Sequence, residues 1–145
     1  LISCNPNTIK MGTENEQNKV IVLAAGEGRT YKLGPMAAVF KADENETGGQ
    51  YSISEWWIEP HSEGPGEHSH TDKDQVFYVL EGIVSVYIND KWIDAGKGAF
   101  ILISKTTIHA FANRTDNKAG FLNFDVPGGF EHDMPSMAEW FKENS

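Results

Sequence analysis

His68 and His70 are separated by one residue in the run Gly64-Pro65-Gly66-Glu67-His68-Ser69-His70, which leads through Thr71-Asp72-Lys73-Asp74 to Gln75. Side chains of an extended chain alternate faces with a period of two, so the two imidazoles share one side. Gln75 follows a short turn, and Gln75, Phe77 and Val79 then share one face of a returning strand. Such a strand, turn and strand aim two imidazoles and a third polar group at one point. A third histidine, His109, opens another strand after the polar turn Ser104-Lys105-Thr106-Thr107. Three neutral imidazoles suit Fe, Mn, Co, Ni, Cu or Zn without choosing among them. The chemistry expected is that of one divalent transition metal on His68, His70 and His109.

This arrangement resembles the cupins, whose first motif reads G-x5-H-x-H-x(3,4)-E-x6-G and whose second reads G-x5-P-x-G-x2-H-x3-N. His68, His70 and Gly82 fit the first, while Gly98, His109 and Asn113 fit the second. Three features depart from the pattern. Gln75 stands where the family has a glutamate ligand, Ser104 and Thr106 replace the turn's proline and glycine, and the leading glycine is displaced to Gly64. An alternative register places Asp74 at the glutamate position. The six-residue gap then ends on Glu81 rather than Gly82, and Asp74 points away from the Phe77 face.

The resemblance implies an all-β fold, a single cupin jelly-roll β-barrel closed by a short C-terminal helix. Gly28-Arg29-Thr30-Tyr31, and Pro127-Gly128-Gly129-Phe130-Glu131 before the helix, are similar to the small quercetinase-like cupins over roughly residues 26–142. That likeness implies a metal-dependent dioxygenase acting on a small enol or phenol. Position 75 would be both a metal ligand and the base that takes the substrate's proton. Glutamine keeps a carbonyl oxygen for a metal, yet carries no charge and accepts no proton near neutrality. Gln75 and Glu55 are therefore the candidate catalytic groups. Glu55 is a mid-strand carboxylate among apolar neighbours, and an outward-facing role is its plainer reading. Two other functions fit the same barrel: a metal-assisted sugar or oxo-acid isomerase or epimerase, and a non-catalytic small-ligand-binding cupin.

The elements that must position these residues follow from pattern and turn chemistry. Val20–Leu23 reads as a short apolar strand, and Met36–Ala42 as another. Asp43–Gly49 reads as a polar turn with Gly48-Gly49 as a hairpin cue. In Tyr51–Glu59, Tyr51, Ile53, Glu55 and Trp57 share one face and Ser52, Ser54, Trp56 and Ile58 the other, with the inward side left open. Asn89-Asp90 is a two-residue turn tolerant of positive φ, and Ala119–Val126 is the last long strand. Ser136-Met137-Ala138-Glu139 fits a helix-opening capping box, with Met137, Trp140 and Phe141 on one face. Aromatic walls for a substrate are expected from Trp56, Trp57, Phe77, Phe100 and Phe111. His61 and His132 read as surface residues. Ala24-Ala25-Gly26-Glu27-Gly28-Arg29-Thr30 looks like a phosphate loop, but Tyr31-Lys32-Leu33-Gly34-Pro35 cannot open the helix such a loop needs, so a turn between strands is expected.

The 145 residues with 39% hydrophobic content suit one cupin domain over residues 20–145, behind a polar tail at residues 1–19. A net charge of -9 argues against nucleic acid or an anionic membrane as partner. No apolar run reaches the length of a transmembrane helix. A small-molecule substrate is the expected partner, and exposed barrel aromatics such as Tyr87 and Trp92 would favour a homodimer. Met11-Gly12 would be an ordinary start and a cytoplasmic location the corresponding expectation. Alternatively Leu1-Ile2-Ser3-Cys4 resembles the end of a lipoprotein signal, with Cys4 as the lipid anchor.

Overall fold

The computed structural model describes residues 20–144, so the tail at residues 1–19 and Cys4 lie outside the described residues. In chain order the strands are β1 (Arg29–Leu33), β2 (Met36–Ala42), β3 (Ser52–Ile58), β4 (Asp74–Glu81), β5 (Ile83–Ile88), β6 (Lys91–Gly96), β7 (Phe100–Ile103), β8 (Ala110–Ala112) and β9 (Ala119–Val126). Helix α1 (Glu44–Thr47) joins β2 to β3, and a 3-10 turn at Phe130–Asp133 feeds α2 (Met134–Glu143). One sheet has the order β1-β2-β3-β9-β4-β7 and the other the order β6-β5-β8. Every pairing is antiparallel.

The two sheets enclose an apolar core, supplied on the large sheet by residues such as Phe40, Trp56, Phe77 and Phe121 and on the small one by Val84, Val86 and Phe111. In β3 the face carrying Ser52, Ser54, Trp56 and Ile58 is the buried one. That choice sends Glu55 and Trp57 to the outer face. β4 buries Gln75, Phe77 and Val79 in alternation, which delivers Gln75 to the interior. Asn89 and Asp90 take φ of 51° and 62° between β5 and β6, the two-residue turn that the sequence demands. Gly82 turns β4 into β5 at φ 69°, and an added Cβ there would lie 2.7 Å from the Lys118 carbonyl oxygen. Only glycine fits.

Five sequence expectations are corrected. Val20–Leu23 forms no strand: it pairs with neither sheet, and Val20 is 84% exposed. The run after Asp43 is a helical turn, α1, closed by Gly48 in the left-handed conformation. Ser136 does not cap a helix. Helix α2 starts earlier, with Asp133 at its N-cap and Pro135 in the first turn, where a missing N–H costs nothing. Trp140 is 57% exposed and leaves the packing to Met137, Ala138 and Phe141. The Ala24–Gly28 stretch opens no helix, as expected, and turns into β1, but with no strand before it this is not the turn between strands that was expected.

Candidate metal centre

His68 and His109 face each other as an isolated antiparallel bridge, with their backbones exchanging N–H···O bonds of 2.9 and 2.8 Å. The chain reaches this bridge by way of Gly64, where an added Cβ would lie 2.1 Å from the Phe111 carbonyl oxygen. His70 is held by the opposite loop, since its carbonyl accepts from the Thr106 N–H at 2.6 Å. Thr106 takes φ of 71°, the left-handed region that explains why the family pattern has a glycine here. Asn113 shapes the neighbouring turn, donating to the carbonyls of Ile58 and Asn117.

One potential ligand atom from each of His68, His70 and His109 lies within 4.8 Å of the others. The Nδ1 atoms of His68 and His109 sit 2.8 and 2.9 Å from the carbonyls of Gly66 and Thr107. Each Nδ1 therefore carries the proton, and each Nε2 keeps a lone pair. The Nε2 atoms of His70 and His109 are buried with no hydrogen-bond partner. Burial, and then the neighbouring His68 and Lys73, lower His70 to about 4. Burial also lowers His109, against the opposing bond to Thr107. His70 and His109 are thus held neutral, the form that ligates metals.

Gln75 lines the same cavity, whereas Asp74 faces solvent and accepts from the Lys105 N–H at 2.8 Å. Behind Gln75 lies Asp125, to which Gln75 Nε2 donates at 2.8 Å. Asn123 Nδ2 donates to the other oxygen of Asp125 at 3.0 Å. Burial pushes Asp125 up to about 6, restrained by the bonds from Gln75 and Asn123 and by the charge of Lys73. Lys73 is itself buried, with its Nζ 4.2 Å from the centre of the Phe130 ring.

The cavity has a volume of about 370 Å³, with Trp56, Phe77, Phe111, Phe121 and Phe130 as its aromatic wall. Asp133, Ser136 and Met137 bring the start of α2 to its lining. Other predicted residues lie elsewhere. Glu55 is on the outer face of β3, 3.4 Å from Lys41 Nζ, and does not line this cavity. Trp57 shares that outer face, and Phe100 is 64% exposed, so neither forms the wall. His61 pairs with Asp116, and His132 with Glu44, on the surface. Sequence reading missed Asp125, Asn123, Phe121 and Phe130. The signal for the first two was present: in β9, Asn123 and Asp125 continue the face of Ala119 and Phe121, two polar groups on a buried stripe.

No helix among the described residues is long and apolar enough to cross a membrane. A family model described as a cupin domain matches residues 54–125. The chain is 28% identical over 116 residues to the quercetin 2,3-dioxygenase of Bacillus subtilis (strain 168), a match covering 76% of this chain and 32% of that protein. It thus spans about a third of that relative's length. Among solved structures, KdgF from Halomonas sp. superposes with a TM-score of 0.68 at 13% identity, over 79% of this chain and 99% of that one. The polyketide cyclase RemF from Streptomyces resistomycificus gives a TM-score of 0.65 at 17% identity, over 74% of this chain and 80% of its own. At such identities the likeness concerns the fold. Two histidine motifs brought together between facing sheets, with a family match that spans both, make this chain a cupin.

Proposed function

We propose that His68, His70 and His109 hold one divalent transition metal, and that the protein is a quercetinase-like dioxygenase acting on a small enol or phenol. The observation that carries this reading is the pair of buried, partnerless Nε2 atoms of His70 and His109, grouped with His68 beside a cavity that has an aromatic wall. Buried polar atoms are nearly always satisfied, so two lone pairs left open beside a third imidazole fit a cation. When bound, the metal supplies Lewis acidity and redox capacity at the substrate's oxygen.

The chain's own residues do the rest. Trp56, Phe77, Phe111 and Phe121 offer flat apolar surfaces that suit a planar ring and exclude water. The carbonyls of Gly66 and Thr107 fix the tautomer and orientation of two imidazoles. Gln75 offers a carbonyl oxygen but takes no proton near neutrality. With Glu55 outside, the carboxylate that lines the cavity is Asp133, at the start of α2. A substrate hydroxyl therefore loses its proton to Asp133 or to solvent, or arrives ionised. Turnover should rise with pH towards the hydroxyl's own pKa. The similarity to quercetin 2,3-dioxygenase supports this substrate class.

The test is O₂ uptake by purified protein supplied with Fe, Mn, Co, Ni or Cu and a flavonol under air. Uptake coupled to product, and abolished in His109→Ala, is the expected result. Turnover of an offered sugar or oxo-acid without O₂ uptake would replace this reading with an isomerase or epimerase. Ligand binding with no product would replace it with a binding module.

A further inference from the structure

Gln75 and Asp125 are direct cross-strand partners in the β4–β9 pair, and both are buried. Asp125 accepts on both carboxylate oxygens, from Gln75 Nε2 at 2.8 Å and from Asn123 Nδ2 at 3.0 Å. Two amide donors, one on each oxygen, suit an ionised carboxylate, whose oxygens only accept. It also decides the orientation of Gln75. Turning that amide over would set its carbonyl oxygen against a carboxylate oxygen, two acceptors with no proton between them. The Gln75 N–H is therefore held towards Asp125, which leaves Oε1 buried, without a partner, on a side chain that lines the histidine cavity.

We infer that Asp125 is a positioning residue for the metal site: it locks Gln75 with its carbonyl oxygen presented to the histidines, and supplies from behind the amide the negative charge that Gln75 lacks. The inference rests on the three-histidine reading given under Proposed function. Its physical content is a charge moved back by one hydrogen bond. A glutamate at position 75 would bring its charge directly to the site. Here the charge sits on β9, and the amide relays it as a polarised oxygen. Partners of this kind, one step behind the ligands, are typically worth about 10–100-fold in metal affinity.

The decisive experiment is a donor–acceptor swap read by Co(II) titration, using calorimetry and the visible absorption of the bound ion. Asp125→Asn removes the negative charge and puts one amide donor where two acceptors stood, so either Gln75 or Asn123 must turn to accept from it. Co(II) affinity should fall about 10–100-fold. In Gln75→Glu/Asp125→Asn, the new amide donates to the new carboxylate, which keeps an oxygen for the metal. Affinity should return to within about threefold of wild type, or exceed it, because the swap restores the pattern of donors and acceptors. The inference is overturned if Asp125→Asn binds as tightly as wild type, or if the double variant stays as weak as the single one. Should Asp125→Asn not fold, the double variant decides. Folded and tight supports the inference; unfolded makes Asp125 a residue of the core alone and overturns it. A wild type that takes up no Co(II), or His109→Ala that keeps it, removes the three-histidine site itself, and the inference falls with it.

Discussion

Asp43 and Asp125 are both nearly inaccessible, at 3% and 0% exposure, and they use their oxygens differently. Asp43, just after β2, accepts from the backbone N–H groups of Gly129 and Glu131 at 2.6 and 2.7 Å. Around it, Glu131 takes two bonds from Arg29 and one from Tyr31, and Arg29 also pairs with Glu46. Asp125 instead accepts from two side-chain amides, and each of those leaves a buried oxygen without a partner. The bonds of Asp43 end on backbone that cannot turn. Those of Asp125 end on Gln75 and Asn123, whose side chains line the cavity that His68 and His70 also line. A buried polar cluster whose central bonds end on backbone fastens structure, and one that ends in open lone pairs is prepared for something else to complete it.

The contrast is tested most directly at the histidines. Replacing His68, His70 or His109 with alanine removes one of three strong ligands, so each variant should lose stoichiometric metal, measured on protein isolated from metal-supplemented growth. Variants at Asp43 should keep it. Full retention in all three histidine variants would mean that the open nitrogens are not a site.

Next in size is the fastener. Asp43→Ala strands two part-buried backbone N–H groups, each at up to about 1–3 kcal/mol. The melting temperature should fall by roughly 10 °C or more, at about 2–8 °C per kcal/mol for a domain of this size. Metal content of the folded fraction should not change. An unchanged melting temperature would show that the segment carrying Gly129 and Glu131 is held by the packing of Phe130 and Met134 alone.

A smaller effect probes the Asp125 side. Charge alone argues that Gln75→Glu should tighten metal binding. Asp125 reverses that expectation, because the new carboxylate loses a donor and meets another carboxylate where a 2.8 Å hydrogen bond had been. Co(II) affinity of this single variant should be no better than that of wild type. A tighter single variant would show that the introduced carboxylate swings away from Asp125 and that the two positions are independent.

Much of this was legible in the sequence, for reasons that differ by element. The histidine set could be read because each motif is local: a period-two pair, and a turn with one histidine at its end. Asn89-Asp90 and the alternation of β4 were legible for the same reason. α1 was not, because Glu44-Asn45-Glu46-Thr47-Gly48-Gly49 reads equally well as a turn, and the residue beside it, Asp43, finds its partners 86 and 88 residues later. Val20–Leu23 has the composition of a strand but joins neither sheet, and composition does not say which apolar runs find a pairing partner. Asp125 was visible as a polar residue on a buried stripe. Its meaning depended on a partner 50 residues away, and only the β4–β9 register supplies it.

The smallest effect concerns pH, and it belongs to the fastener. Burial raises Glu131, but the bonds from Arg29 and Tyr31 outweigh it and hold the carboxyl below its ordinary value of 4.5. The groups facing it are Arg29, Tyr31, Asp43 and His132. A carboxyl whose folded pKa is depressed contributes stability that is present above 4.5 and lost as pH falls through the folded value. His132, raised by Glu44, runs the other way: its contribution is complete below 6.5 and fades as pH rises through the raised value. Solvent screens the pair of Glu131 with the half-exposed Arg29, so the Glu131 effect should be about 1 kcal/mol or less. Urea midpoints of metal-free protein between about pH 3 and 5 should decline more steeply for wild type than for Glu131→Gln, and the two curves should converge at the acid end. Parallel curves would mean that Glu131 keeps an ordinary pKa in the folded chain. The Arg29 pair would then be a surface contact, and the fastener would reduce to Asp43 and its two backbone bonds.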